Sequence, residues 1–324
     1  MPVPMKAGTV LRERYQVKQI IGQGGMGCIY LAEDLRLEGR LCAVKEVEYD
    51  RGLPKEMLEE AQHQFQREAT VLARLDHPNL PKVSDFFSID DSDYLVMDYV
   101  PGKDLRELMM EARQNDTFLP EEDVLDWASQ LADALSYLHS QDHPILHRDI
   151  KPSNVKLTPS GLVKLVDFGL VKMLAPGEVT ITILQGQGTA LYTPLEQYGG
   201  DAGHTDSRSD IYALGGTLYH LLTNEAPINV RDRFLAPGSL TPIRQINPNV
   251  SVRTERAIHW ALQLHPEDRP EDVNAFLKAL FIEDAPITKP FRSTYFPSRL
   301  VQAPERVLIY VAGGLMVVSL LLTL

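Results

Sequence analysis

The chain has 324 residues, of which 23% are charged and 44% hydrophobic, and its formal net charge is −12. A chain of this length and ordinary composition can bury a sizeable core and form two lobes or domains, which excludes disordered and fibrous classes for most of it. The negative charge argues against broad, nonspecific binding to nucleic acid, and no basic tract stands out.

The first predicted element is a hairpin rich in glycine. Residues 15–21 alternate as a strand does, and residues 22–30 read Gly-Gln-Gly-Gly-Met-Gly-Cys-Ile-Tyr. Glycines let backbone amides approach a phosphate without side-chain collision. Dinucleotide-binding loops share this pattern, but the segment that follows reads as a strand rather than a helix, which disfavours that interpretation.

The two cysteines of the chain, Cys28 and Cys42, are too few for a disulfide framework and lack metal-ligand spacing, which fits a reducing cytosol. Cys28 lies within the glycine-rich segment. We interpret it as an inert strand residue rather than as an oxidisable thiol beside a nucleotide.

Residues 41–47 predict an apolar strand that carries one lysine, Lys45. Such a lysine is either an exposed edge charge or a ligand that needs an anionic partner. Residues 54–74 have helical composition and include Glu68, a candidate partner.

Further along, residues 94–102 predict an apolar strand that ends in a turn. Residues 105–111 and 121–140 predict helices, the second of them amphipathic. These two helices are expected to be scaffold.

The strongest chemical signal combines two motifs. Residues 147–154 read His-Arg-Asp-Ile-Lys-Pro-Ser-Asn, and residues 167–169 read Asp-Phe-Gly. Phosphoryl transfer requires a positioned hydroxyl, a bound magnesium ion and positive groups that neutralise the negative charge on the transferred group. Asp149 can accept the hydroxyl hydrogen, and Lys151 can offset the negative charge on the γ-phosphoryl group. The oxygens of Asn154 and Asp167 suit magnesium, a hard cation.

The tripeptide His-Arg-Asp or Asp-Phe-Gly alone could be a capped turn. Together the two motifs resemble the catalytic loop and the metal-binding motif of protein kinases. A lysine two residues after the aspartate resembles the serine/threonine branch. The resemblance covers residues 10–282 and implies an α+β, two-lobed protein kinase fold. It implies a β-rich N-lobe at residues 1–97, a mainly helical C-lobe at residues 98–283, and ATP with Mg²⁺ or Mn²⁺ between them.

The same resemblance assigns the nucleotide site. Lys45 would bind the α- and β-phosphates and pair with Glu68. Met97 would lie behind the adenine, and Asp104 would reach the ribose. The full set of expected ATP-binding residues is Ile21, Gly22, Gln23, Gly24, Gly25, Met26, Gly27, Ile29, Ala43, Lys45, Met97, Asp98, Val100 and Asp104.

Between Gly169 and Glu196 the chain resembles a mobile activation segment. Thr180 and Thr182 resemble the paired autophosphorylation threonines of bacterial membrane-bound serine/threonine kinases. Arg148 could pair bidentately with such a phosphate, which adds about −1.5 to −2 charge. The alternative is that both threonines are simply β-branched residues of an extended loop.

Residues 194–196 read Pro-Leu-Glu where the family usually has Ala-Pro-Glu. Glu196 remains available for a buried ion pair with Arg269, so the change affects the expected peptide-binding ledge more than the chemistry. Asp210 resembles the aspartate that braces the catalytic-loop backbone, although an N-cap role would also explain it.

At the C-terminus, residues 284–306 contain several prolines and read as a juxtamembrane linker. Residues 307–324 carry no charge, and as a helix they would be roughly 27 Å long, close to the thickness of a bilayer core. A buried core helix is the alternative. The positive residues that precede this run predict a single-pass protein with a cytoplasmic kinase domain. The chain would be tail-anchored, or would continue outside the membrane.

The expected function is therefore that of a serine/threonine protein kinase, with protein substrates, possible self-association for trans-autophosphorylation, membrane attachment and no nucleic acid. A catalytically silent, membrane-tethered scaffold of the same fold is one alternative, although such chains usually lack a catalytic lysine or aspartate. A small-molecule phosphotransferase is another, although it would not need Thr180, Thr182 or a pair between Glu196 and Arg269.

Overall fold

The structure, a computed structural model, describes residues 4–24, 27–49, 52, 54–90, 92–167, 190–198, 205–236 and 238–282. Contacts divide the chain into a unit of residues 1–287 and a unit of residues 288–324, and the second unit lies outside the described residues. The predicted linker at 284–306 and membrane helix at 307–324 lie outside them as well. Within the described ranges, every helix is too short or too polar to cross a bilayer.

The N-terminal part is an antiparallel sheet of six strands in the order β1-β2-β3-β4-β6-β5. The strands predicted at 15–21 and 41–47 are confirmed, and a strand does follow the glycine-rich turn. The strand bounds are β1 Val10–Leu11, β2 Tyr15–Gly24, β3 Gly27–Asp34, β4 Leu41–Glu48, β5 Val83–Ile89 and β6 Ser92–Asp98.

One face of this sheet is closed by its own aromatic side chains. Phe87 stacks on Tyr15 and on Tyr94, with ring centroids 5.9 and 5.2 Å apart. The hydroxyls of Tyr30 and Tyr94 donate to the buried carboxylate of Glu46 at 2.8 and 2.9 Å. Because successive strand residues point to opposite faces, Lys45, which precedes Glu46 on β4, faces the other side of the sheet.

Helix α1, Lys55–Ala73, packs against β5 and β6 and confirms the helix predicted at 54–74. Its buried residues recur at helical spacing and include Phe65, Glu68 and Leu72. Glu68 therefore lies on the face of α1 that is turned to the protein interior.

The C-terminal part is mainly helical, and the helices predicted at 105–111 and 121–140 are confirmed. Helix α4 is buried along nearly its whole length and packs against α3, α7 and α8. A Cβ added at Gly215 would lie 2.8 Å from the Cβ of Ala261, so glycine permits the close approach of α4 and α7. The helix bounds are α2 Leu105–Gln114, α3 Glu121–His139, α4 Ser207–Thr223, α5 Val230–Leu235, α6 Ile243–Ile246, α7 Val252–Ala261 and α8 Val273–Phe281.

A second, three-stranded sheet supports the predicted catalytic loop. It consists of β7 Lys103–Asp104, β8 Val155–Leu157 and β9 Val163–Leu165, in that order. A 3-10 turn at Pro152–Asn154 leads directly into β8. The loop at 147–154 is thus tied to a small rigid sheet at its C-terminal end.

Candidate active site

Lys45 and Asp167 meet although 122 residues separate them in the chain. The register of the sheet places Lys45 opposite Ile29 on β3 and opposite Leu95 on β6. Asp167 follows closely after β9, and its carboxylate Oδ1 accepts a hydrogen bond from the Lys45 Nζ. A lysine on an apolar strand has thereby found an anionic partner.

Two residues of the site have left-handed backbone conformations, Arg148 with φ 63° and Asp167 with φ 64°. Residues other than glycine adopt this region rarely and at a cost. The conformations persist because the surrounding hydrogen bonds fix the chain on both sides. The Val166 N–H donates to the carbonyl oxygen of Asn154 at 2.8 Å, which joins the two motifs directly.

The side chains of the catalytic loop converge on Asp149. The Lys151 Nζ lies 2.9 Å from Asp149 Oδ2. The Asn154 Nδ2 donates to the carbonyl oxygen of Asp149 at 2.8 Å and to Oδ2 at 2.9 Å. This geometry holds the carboxylate of Asp149 in place and leaves the amide oxygen of Asn154 as its remaining acceptor.

The predicted contact between Asp210 and the loop backbone is present. Asp210 is fully buried and accepts the backbone N–H groups of His147 and Arg148 at 2.9 and 2.8 Å. His139 Nε2 lies 2.9 Å from the same carboxylate. Burial alone would raise the pKa of Asp210, but the hydrogen bond and positive charge of His139 hold that pKa below its ordinary value.

The predicted ion pair between Lys45 and Glu68 is not formed in this structure, so the prediction is wrong for this conformation. Glu68 instead accepts a hydrogen bond from Gln64 Nε2 at 2.7 Å, and its other carboxylate oxygen is buried without a hydrogen-bond partner. Burial raises the pKa of Glu68, opposed by the Gln64 hydrogen bond and by the charge of Arg148. Lys45 donates to Asp167 instead, and Glu68 is bound by the neutral amide of Gln64.

The glycine-rich hairpin is formed by the end of β2 and the start of β3. Gly27 has φ 137°, and a Cβ there would lie 2.1 Å from the carbonyl oxygen of Glu46, so only glycine fits. The side chain of Ile29 lies over Gly22, 3.4 Å from the position of an added Cβ. Gln23 and Gly24 continue β2 beyond this point, whereas the predicted ligands Gly25 and Met26 lie outside the described residues.

The predicted adenine site lies along the end of β6. Ala43 is opposite Met97 in the sheet register, and Val100 is buried. The N–H of Asp98 already donates to the carbonyl oxygen of Lys82 at 3.0 Å. Asp98 could therefore offer a base its carbonyl oxygen but not its N–H group.

Asp104, the expected ribose ligand, is the N-cap of α2. Its Oδ1 accepts the N–H of Glu107 at 2.8 Å, and the Glu107 side chain accepts the N–H of Asp104 at 2.8 Å, which forms a capping box. Burial raises the pKa of Asp104. One carboxylate oxygen is thus committed to the helix.

The expected pair between Glu196 and Arg269 is present and buried. Arg269 donates from Nη1 and Nη2 to the two carboxylate oxygens at 2.6 and 3.0 Å. Its remaining contacts include the Gln263 carbonyl oxygen at 2.8 Å, and its guanidinium lies 4.8 Å from the ring centroid of Tyr212. The substitution of Pro194-Leu195 for the usual Ala-Pro leaves this bidentate pair intact.

Three other predicted features lie outside the described residues. They are the phosphorylation sites Thr180 and Thr182 and the Phe-Gly part of the second motif at 168–169. For these positions the expectations from sequence remain predictions.

Sequence reasoning missed two residues that hold the site together. Gln64 lies four residues before Glu68, and that spacing on a helix could have identified it as a neighbour. His139 lies 71 residues before Asp210 and ends a different helix, so no local signal points to their contact.

The donor set fits a magnesium ion that is shared with phosphates. No cluster of three or more His, Cys, Asp or Glu residues in the described part of the chain could hold a metal on its own. Magnesium commonly takes one or two protein oxygens and completes its shell with phosphates and water. The Asn154 amide oxygen and the Asp167 carboxylate are donors of that type, carried by segments joined through the Val166 hydrogen bond.

Comparison with known families gives an independent result. The protein kinase domain family model matches residues 15–285. Among curated proteins, the chain is 35% identical over 290 residues to the serine/threonine-protein kinase PrkC of Bacillus subtilis, covering 86% of this chain and 42% of that protein. It is 33% identical over 270 residues to the serine/threonine-protein kinase PknB of Mycobacterium leprae, covering 80% and 41%. The chain thus spans about two fifths of the length of these relatives.

Solved structures show the same fold. The apo form of PpkA-294 superimposes with a TM-score of 0.71 at 27% identity, covering 86% of this chain and 99% of that one. The kinase domain of PknI from Mycobacterium tuberculosis gives a TM-score of 0.66 at 28% identity, covering 86% and 98%. The two-lobed arrangement of a β-rich and a helical part is therefore shared with known kinase domains.

Proposed function

Because this chain belongs to the protein kinase family, with a serine/threonine kinase domain of the bacterial type, we propose that it transfers the γ-phosphoryl group of ATP to serine or threonine hydroxyls of proteins. The observation that carries this proposal is the contact of Lys45 with Asp167, next to a catalytic loop centred on Asp149. A cation for phosphates, a carboxylate for metal and a carboxylate for a hydroxyl proton would then be carried by neighbouring segments.

In the proposed reaction, the oxygen of the acceptor hydroxyl forms a bond to the γ-phosphorus, and the bond from that phosphorus to the β–γ bridging oxygen breaks to release ADP. Asp149 accepts the hydroxyl proton, since Lys151 and Asn154 fix its carboxylate. Lys151 also places positive charge where the transferred group is negative.

Lys45 would bind the α- and β-phosphates, and it must then share or leave Asp167. We propose that Glu68 rotates away from Gln64 to pair with Lys45 when nucleotide binds. The raised pKa of Glu68 and its oxygen without a partner support this, because the buried carboxylate gains a charged donor in the new pair.

Mg²⁺, or Mn²⁺ in its place, would neutralise phosphate charge when bound, held by Asn154 and Asp167. The proposed nucleotide contacts are those named from sequence. They comprise the hairpin residues Ile21, Gly22, Gln23, Gly24, Gly25, Met26, Gly27 and Ile29, and also Ala43, Met97, Asp98, Val100 and Asp104. Asp210 and the pair of Glu196 with Arg269 would keep the loop and the following segment in place.

We further propose that the protein phosphorylates itself on Thr180 and Thr182, with Arg148 as a partner of the phosphate. Two copies of the chain would associate transiently for this reaction. A variant with alanine at both positions should lose activity, and unchanged activity in that variant would refute this part of the proposal.

Residues 307–324 are proposed to anchor the chain in a membrane, with the kinase domain on the cytoplasmic side and residues 284–306 as the tether. The support is the uncharged run and the positive residues before it. Removal of residues 307–324 should move the protein from the membrane fraction to the supernatant. An unchanged distribution would refute the anchor.

The central experiment incubates the full chain with labelled ATP, Mg²⁺ and a generic protein acceptor. The Asp149→Asn variant is expected to lose at least a hundredfold in transfer rate, because it removes the proton acceptor and keeps the shape. Asp142→Asn, which removes an exposed carboxylate nearby in the chain, serves as the matched control and should keep full activity.

A chain that labels neither itself nor the acceptor would favour the silent scaffold over the kinase. Transfer to a small molecule without any protein acceptor would favour the small-molecule phosphotransferase.

A further inference from the structure

The charges of helix α2 and the strand before it are not balanced evenly. Each acidic residue there is engaged: Asp104 and Glu107 form the capping box, and Glu111 binds Lys103 Nζ at 2.6 and 2.8 Å. Arg106 and Arg113, by contrast, are exposed and form no ion pair with any residue in the ranges that the structure describes. The helix therefore carries two positive charges that its own acids do not neutralise.

The two arginines share one side of α2. Their spacing of seven residues corresponds to about two helical turns, or roughly 10 Å along the axis. A row of this length matches several residues of an extended peptide, at about 3.3 Å per residue. The arginines could therefore contact side chains at separate positions of one bound segment.

Helix α2 lies beside the catalytic loop, where it packs against the turn at Pro152–Asn154, and beside α4. The end of α4 is also joined to the end of α2, since the Asn224 Nδ2 donates to the Thr117 carbonyl oxygen at 2.9 Å. Both arginines therefore lie on a helix that adjoins the catalytic loop, and their charges reach His220 in the last turn of α4.

A second contact extends this arrangement to Tyr192, near the C-terminal end of the predicted activation segment. The Tyr192 hydroxyl lies 2.5 Å from His220 Nδ1 on α4. Burial, together with the positive charges of Arg106 and Arg113, lowers the pKa of His220 to about 4. Tyr192 is therefore paired with a neutral imidazole, and Arg106 and Arg113 supply positive charge at this edge.

We propose that Arg106 and Arg113 select acceptor proteins that carry acidic side chains close to the phosphorylated hydroxyl. This inference rests on the proposed kinase function and adds the substrate class. Charge complementarity supports it, since two guanidinium groups that no acid in the described ranges neutralises would attract the carboxylates of a bound segment. The sequence offers one such acceptor, because Glu178 precedes Thr180 by two residues.

The test uses the full chain and threonine peptides that differ at one position. The starting peptide copies residues 174–186, with Thr182→Ala to leave one acceptor. A set of derivatives carries a single Glu or Lys at each position from four residues before to four residues after the acceptor. The readout is the ratio of kcat/KM for the Glu peptide to that for the Lys peptide at each position.

The unaltered chain is expected to favour Glu at one or more positions by roughly fivefold to twentyfold, the sum of two exposed charge contacts. Arg106→Ala/Arg113→Ala should reduce this ratio at least threefold. The reversed variant, Arg106→Glu/Arg113→Glu, should invert it. Arg256→Ala/Lys278→Ala removes the same charge from exposed positions on α7 and α8 and should leave the ratio unchanged.

A ratio that is the same in all four proteins would overturn the inference while leaving the kinase function standing. If no peptide is phosphorylated, the kinase proposal fails separately, and peptide binding measured by fluorescence anisotropy decides the inference. Preferential binding of Glu peptides that the reversed variant loses supports acidic selection, and equal binding of Glu and Lys peptides refutes it.

Discussion

Two buried carboxylates, one in the N-terminal part and one in the C-terminal part, differ in their hydrogen bonding and in the direction of their pKa shifts. In the helical part, Asp210 is held by two backbone N–H groups and His139, and its pKa lies below the ordinary value. In the sheet part, Glu68 is held by the neutral amide of Gln64, leaves one oxygen without a hydrogen bond, and has a raised pKa. Both carboxylate oxygens of Asp210 accept hydrogen bonds, whereas only one oxygen of Glu68 does.

The difference separates a fixed element from a movable one. A buried ion with complete hydrogen bonding has no better arrangement to move to, so Asp210 keeps the catalytic loop in one conformation. A buried ion with a missing donor gains free energy from any rearrangement that supplies one. In the proposed rearrangement, Lys45, which now donates to Asp167, would supply the missing donor to Glu68.

Breaking the fixed side should have the largest effect. Asp210→Asn keeps the size of the side chain but presents an N–H₂ group to one of the two backbone donors. We expect about 1–3 kcal/mol lower stability and roughly a hundredfold lower kcat, because a misplaced loop misdirects Asp149. Chemical denaturation and transfer assays measure the two effects, with Asp232→Asn on α5 as an exposed control. Normal kcat in the folded Asp210 variant would contradict a fixing role.

Breaking the movable side should separate activity from stability. Glu68→Gln keeps a carbonyl oxygen for the Gln64 amide and removes a buried charge, so we expect unfolding free energy to rise by about 1 kcal/mol. The kinase should nevertheless lose roughly tenfold or more in kcat/KM, because Lys45 loses its anionic partner in the closed form. Glu59→Gln, an exposed change on the same helix, is the control. A variant that loses stability and keeps activity would reverse the account.

A further variant removes the amide that holds Glu68. Gln64→Leu leaves the carboxylate without its hydrogen bond in the present conformation and so favours pairing with Lys45. We expect transfer at low ATP to rise by up to about fivefold, equivalent to one hydrogen bond of about 1 kcal/mol. Gln66→Leu, also on α1, is the control. Transfer that falls in Gln64→Leu would argue against competition between Gln64 and Lys45.

The pH dependence of stability should show the two carboxylates with opposite signs. The raised pKa of Glu68 means that its folded form binds a proton more readily than the unfolded form, so its contribution is fully present below 4.5 and is lost as pH rises through the folded pKa. Asp210 behaves oppositely, and its contribution is present above 3.8 and lost as pH falls through the lowered folded pKa. The stability gained by Glu68→Gln should therefore shrink towards zero as pH falls to 4.5. A gain that does not change with pH would show that the pKa of Glu68 is the same in the folded and unfolded protein, which would contradict the raised pKa.

Much of the fold and the site was predictable because the relevant signals are local. The glycine-rich hairpin, the apolar strand of Lys45 and the two early helices each follow from residue spacing within a short window. Contacts such as Lys45 with Asp167 join segments 122 residues apart, and only the resemblance to a known family linked them in advance.

The partner of Glu68 was not predictable in the same way. Glu68 is bound by Gln64, whereas the family resemblance pairs it with Lys45, and neither motif indicates which of the two partners it contacts in a given conformation. The arginines of α2 are a similar case, because Arg106 and Arg113 look like ordinary surface charge until the partners of the neighbouring acids are known.

The most direct test of the site is nucleotide binding measured by calorimetry with a nonhydrolysable ATP analogue, with and without Mg²⁺. We expect Mg²⁺ to strengthen binding of the analogue to the unaltered chain. Asp167→Asn should remove this enhancement. Lys45→Leu should weaken binding of the analogue both with and without Mg²⁺. An Asp167→Asn variant that keeps the full Mg²⁺ enhancement, or a Lys45→Leu variant with unchanged affinity, would contradict a site in which these two residues receive one nucleotide and its metal ion.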